Sequence, residues 1–173
     1  MDLGIAGRVA LVTAGSRGLG RATAVALASE GVRVVVSART EAPLVKVVDD
    51  LRTGGAEAIY VVSDVADPST PDRLVHATIE AFGSIDIVVA NAGGPPQGRA
   101  LEVGDDALIA ALQSNLLSSI RLVRAARPTM QAAGWPGMCA LMRNTGYSKN
   151  PSITRDFWPS ARKRGRPSAS RSF

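Results

Sequence analysis

The sequence predicts an α/β fold: a three-layer αβα sandwich around a parallel sheet, ending after a fourth or fifth strand and followed by a disordered basic tail. Three observations predict it. Short, β-branched apolar runs alternate with stretches of helical periodicity across residues 1–135. Runs apolar on both faces suit a parallel sheet covered on both sides. After Gly134–Trp135 the alternation stops, and Ser, Pro and Arg take over, a composition that buries too little apolar surface to fold.

Each element follows in order. RVALVT (8–13) is a buried strand, followed by the glycine-rich AGSRGLG. RATAVALASEG has small and apolar residues at helical spacing and stops at Gly31. VRVVVSA (32–38) is a second strand, and Pro43 to Leu51 reads as a helix closed by Gly54–Gly55. AEAIYVVSD (56–64) is a third strand; TPDRLVHATIEAFG (70–83) is a helix with Pro71 near its first turn. IDIVVANAGG (85–94) is a fourth strand running into a glycine loop. An amphipathic helix then spans about 105–127, with Leu108, Leu112, Leu116, Ile120 and Val123 on its apolar side. MCALM (138–142) is a candidate fifth strand. The alternation implies right-handed crossovers.

Composition sets bounds on function. The 173 residues are enough for one domain with a sizeable core. A single cysteine, Cys139, excludes an intramolecular disulfide and fits a reducing compartment. The opening MDLGIAGR does not read as a signal peptide, and no apolar run nears the roughly 18–20 residues of a membrane span, so the expected location is the cytoplasm, with no membrane partner. The net charge of +5 is unevenly placed: residues 136–173 carry +7, and residues 1–135 carry −2. The run ARKRGRPSASRSF lacks interleaved aromatics or a base-reading fold, so a solvated tail is expected and nucleic acid is not an expected partner. His76, the only histidine, falls within a surface helix, which leaves histidine acid–base chemistry and metal binding without support.

A strand, a glycine loop and a helix N-terminus read as a Rossmann-like dinucleotide site. The helix start offers free N–H groups and partial positive charge to a pyrophosphate, and glycines let the backbone approach it. The loop supplies Gly15, Ser16, Arg17, Gly18, Leu19 and Gly20, with glycines spaced G-x-x-G-x-G. An NAD site places a carboxylate at the end of the second strand, to accept from the ribose 2′-OH. That position reads Ser37-Ala38-Arg39, and Arg39 and Arg17 suit a 2′-phosphate, so NADP(H) is expected over NAD(H).

VTAGSRGLGRATAVALA, SDVAD (63–67), NAGG (91–94) and Asn115, in that order, resemble the short-chain dehydrogenase/reductase family, with the 3-oxoacyl-carrier-protein reductase branch looking most similar. The resemblance covers about residues 5–135 and implies hydride transfer between nicotinamide and a small carbonyl or acyl substrate. It implies that Asp64 and Val65 contact the adenine, that Asn91, Ala92 and Gly93 line the middle of the cofactor, and that Asn115 is the active-site asparagine. Asp64 could equally cap a turn, and Asn91 could equally tie its loop to a neighbouring strand. The family loop is T-G-x-x-x-G-x-G; here Ala14 stands at its first glycine. If position 14 requires φ > 0, alanine costs on the order of 1 kcal/mol there.

The family's Tyr-x-x-x-Lys pair shares one helix face at i and i+4. Tyr147 and Lys149 stand at i and i+2, so TGYSKN is not that pair, and Gly134 stands where the upstream serine would fall. The expected organisation is therefore an incomplete NAD(P)-binding domain over 1–135 and a non-family tail over 136–173, from a frameshift or comparable truncation, or else from a genuine short variant. In such a chain the oligomer interface of the family is largely missing. A catalytically incomplete reductase is expected; the alternative is a non-catalytic nucleotide-binding module whose basic tail holds a polyanion.

Overall fold

The computed structural model describes residues 3–94 and 103–134, and the backbone of 138–142. The chain alternates β1 (Val9–Val12), α1 (Gly18–Ser29), β2 (Arg33–Ala38), α2 (Glu41–Thr53), β3 (Ala58–Val62), α3 (Thr70–Phe82) and β4 (Ile87–Asn91). Then come α4 (Asp105–Leu112), a π-turn (Gln113–Leu117), α5 (Ser118–Ala132) and β5 (Met138–Met142). The strands form one sheet in the order β3-β2-β1-β4-β5, all parallel. β5 pairs with β4 from Ile87↔Met138 to Asn91↔Met142, so the candidate fifth strand is present and the sheet runs past residue 135. Residues 143–173, with Tyr147, Lys149 and the basic run, lie outside the described residues.

Strand alternation explains the two cores. Ala10, Val12, Val34, Val36, Ile87 and Val89 face one side of the sheet and pack with Ala24, Leu44, Val47, Val48 and Leu51 of α1 and α2. Leu11, Val35, Val88 and Ala90 face the other side and meet Leu74 of α3 and Leu122 and Ala126 of α5. Both faces are covered, as the continuous apolar runs require. Leu11, Leu44 and Leu74 are fully buried, each contributing roughly 1.5–3 kcal/mol by removal from water. At the amino end of the sheet Asp86 accepts from the Val9 amide at 2.9 Å and from Arg8 Nη1 at 3.2 Å, which fixes β4 beside β1.

The long helix departs from expectation in three ways. It continues to Ala132 with Pro128 inside α5, because a proline removes one amide donor without reversing the packing of Leu122 and Ala126. It is interrupted by the π-turn. Its buried residues are Ser118, Ser119, Leu122 and Ala126, whereas Leu108, Leu112, Leu116 and Ile120 are exposed and Val123 is half-buried. Small side chains let α5 come close to α3, and the leucine stripe lies on another face.

Candidate functional site

A groove of ≈ 710 Å³ lies along the carboxyl ends of β1 to β4. In a doubly wound sheet that is where the strand order reverses, here between β1 and β4, and where loops leave a crevice. Four loops build its walls. After β1 come Ala14, Ser16, Arg17, Gly18 and Leu19; after β2, Ala38, Arg39, Thr40 and Pro43; after β3, Ser63, Asp64, Val65 and Ala66. Asn91, Ala92, Gly93 and Gly94 close the floor after β4, and Ser114 enters from the π-turn.

The glycine loop is shaped by close approach. A Cβ at Gly15 would stand 2.5 Å from Val36 Cγ1, and one at Gly20 would stand 2.4 Å from the Ala14 carbonyl oxygen and 2.7 Å from Asn91 Nδ2. Neither contact is tolerable, so both glycines are buried supports beneath the groove and not part of its wall. Gly15 is further held by its amide, which donates to Ser37 O at 3.0 Å. Ala14 adopts φ +48°, the only positive φ at a non-glycine among the described residues, so the anticipated backbone requirement at this position is real.

The junction of β1 and β4 is stitched by two side chains. Thr13 Oγ1 donates to Asn91 O at 2.7 Å and accepts from the Asn91 amide at 2.9 Å. Asn91 Nδ2 donates to Ala14 O at 3.3 Å, so Asn91 does tie its loop to the neighbouring strand while lining the groove. Asp64 likewise does two things: its Oδ1 accepts from the Ala66 amide at 3.0 Å, a turn cap, and it faces the groove. Arg17 and Arg39 both line the groove, and neither makes an ion pair with a carboxylate among the described residues. Thr40, at the start of α2, lines the groove too and makes no side-chain capping bond.

Ten of the twelve residues expected at a cofactor thus meet in one groove, with Gly15 and Gly20 beneath it. Asn115 does not line it. Its Nδ2 donates to Ala111 O at 2.8 Å and to Ser114 Oγ at 3.1 Å, and its neighbour Ser114 takes the place on the wall. Sequence reasoning missed Ser114; a π-turn leaves no periodicity signal over so few residues. His76 is exposed, 3.8 Å from Glu80, and no cluster of metal-ligating side chains occurs among the described residues. No helix there is long and apolar enough to cross a membrane.

The sequence pattern of the short chain dehydrogenase family matches residues 8–139, and the chain belongs to that family. It is 36% identical over 129 residues to versicolorin reductase stcU of Emericella nidulans, covering 74% of this chain and 49% of that protein. The fold is similar to that of L-sorbose reductase from Gluconobacter frateurii in complex with NADPH and L-sorbose, with a TM-score of 0.74, 34% identity, and coverage of 78% of this chain and 51% of that one. A short-chain dehydrogenase/reductase from Burkholderia phymatum in complex with NAD gives a TM-score of 0.74 and 31% identity, covering 78% of this chain and 48% of that one. The chain spans about half the length of the relatives it matches.

Proposed function

We propose that this chain is the cofactor-holding part of an NADP(H)-dependent reductase acting on a small carbonyl or acyl substrate, with the dinucleotide lying along the groove. The pyrophosphate meets the loop at Ser16–Leu19 and the first turn of α1, where free amides and the helix dipole favour negative charge. The adenine lies by Asp64 and Val65, and the nicotinamide end runs past Asn91–Gly93 toward Ser114. Bound there, the cofactor supplies a hydride. Within these 173 residues no tyrosine is followed four positions later by lysine: Asp64 follows Tyr60 and Pro151 follows Tyr147. Binding without turnover is the behaviour expected of the chain.

One observation carries the preference for NADP(H). The end of β2 offers Arg39 and no carboxylate, and Arg17 stands on the same groove. A 2′-phosphate gains charge-assisted hydrogen bonds there, whereas a ribose 2′-OH finds no carboxylate acceptor at that end of the strand. Titration with NADPH and NADH, followed by nicotinamide fluorescence, tests it. NADPH is expected to bind at least about 10-fold tighter, and Arg39→Ala to cost NADPH about 10–100-fold while changing NADH little. Equal affinities for the two dinucleotides, or equal losses in the variant, would refute the preference.

A further inference from the structure

We infer that Ser118 and Ser119 are positioning residues of the groove: their hydroxyls hold the π-turn that sets Ser114 into its wall. The inference rests on the dinucleotide reading of that groove. In a continuous α-helix the Ser118 amide would bond Ser114 O, four residues back. Here it goes one residue further, to Gln113 O. The Ser118 hydroxyl takes the released Ser114 carbonyl at 2.6 Å, and Ser119 Oγ donates to Asn115 O at 3.0 Å. Serines four residues after Ser114 and Asn115 thus supply bonds that compete with the regular ladder, the kind of back-bonding that bends helices. Both serines are buried, at 7% and 4% exposure, so water is no substitute donor.

The mechanical consequence follows from what is anchored. α5 is fixed by Leu122 and Ala126 in the core, while α4 has no buried residue. Converting the π-turn to α-helix would rotate the chain before it by about 100° relative to α5, one residue's worth of helical turn. That rotation carries Ser114 off the groove and turns the Asn115 carboxamide with it.

The test compares the wild-type chain with Ser118→Ala/Ser119→Ala and with Ser118→Thr/Ser119→Thr, which keeps the hydroxyls. Scalar couplings across hydrogen bonds, read by NMR, report which carbonyl the residue-118 amide uses, and fluorescence titration reports NADPH affinity. In the wild type and the threonine variant the coupling should be to Gln113; in the alanine variant it should move to Ser114, and NADPH should bind about 3–10-fold more weakly. Alanine favours helix, so a general loss of folding is not the expected route, and the single alanine variants give the same readouts should the double one not fold. A coupling that stays on Gln113 without the hydroxyls overturns the inference. A coupling that moves while NADPH affinity does not overturns the positioning role. A wild-type chain that binds neither dinucleotide overturns the cofactor reading and the role with it, while the coupling still decides whether the serines hold the turn.

Discussion

Ala14 is the place where sequence and backbone disagree, and the cost of that disagreement is measurable. At φ +48° its Cβ crowds the following carbonyl, a strain of about 1–2 kcal/mol for an L-residue. Ala14→Gly removes that strain. It also loosens the unfolded chain, which takes back about 0.4–1 kcal/mol, and it gives up one half-buried methyl, about 0.4 kcal/mol. The net expectation is a gain of about 0.5 kcal/mol. Ala14→Val works in the opposite direction, because a β-branched side chain tolerates positive φ less well than alanine, an added cost on the order of 1 kcal/mol. With a urea m-value of about 2 kcal/mol/M, the unfolding midpoint should rise by roughly 0.25 M for glycine and fall by 0.5 M or more for valine. Equilibrium urea denaturation followed by far-UV circular dichroism reads both. A glycine variant with a lower midpoint, or a valine variant equal to wild type, would show that position 14 does not need the left-handed conformation.

Two further outcomes follow from single features. Asp67 accepts from the Ser69 amide and hydroxyl, both at 2.8 Å, and these bonds hold its carboxyl below the usual carboxylate range. The folded pKa is then lower than the unfolded value of about 3.9, so the stabilisation is present above about pH 4 and is lost as pH falls through the folded pKa. Melting temperatures of wild type and Asp67→Asn should differ at pH 6 and converge in acid; a constant gap would refute the assignment. The exposed stripe of Leu108, Leu112, Leu116 and Ile120 is large for a free surface, and the wild-type chain should self-associate or bind a hydrophobic dye. Leu112→Glu with Leu116→Glu should reduce both in sedimentation and fluorescence, and a wild type monomeric and dye-free at every concentration would count against it.

The strands were legible because parallel burial leaves a pattern that needs no tertiary context: VALV is apolar throughout, and RVVVSA and IVVAN each carry a run of three or four apolar residues. The glycine loop was legible because backbone approach excludes side chains, and that exclusion appears as glycine itself. The helix over 105–132 was legible in existence and not in orientation. Its leucines at i+4 spacing mark an apolar face correctly, yet the face that packs inward pairs Leu122 with Ser118, Ser119 and Ala126, and hydropathy gives the two serines no inward signal. Close helix packing selects for small volume, and volume is invisible to a hydrophobicity pattern. The π-turn was hidden for another reason. One extra residue in a turn shifts the phase of a helix, and the donors that stabilise the shift are two serines, a residue type common on solvent-facing helix positions.

The topology explains why a groove can be built from so limited a stretch of chain. In the order β3-β2-β1-β4-β5, crossovers leave β1 toward β2 on one side and reach β4 on the other, so the loops after β1 and β4 diverge at the centre of the sheet. Among the described residues, those that line the groove fall between Ala14 and Ser114. The opening is kept at a fixed width by the Thr13–Asn91 and Asn91–Ala14 bonds, which close β1 to β4 just beyond their last paired residues. A pocket held that way gains its shape from strand pairing in the core, whereas Asn115 depends on a helix whose first half buries nothing. Loss of dinucleotide binding should therefore track unfolding of the sheet, and the geometry around Asn115 should give way first.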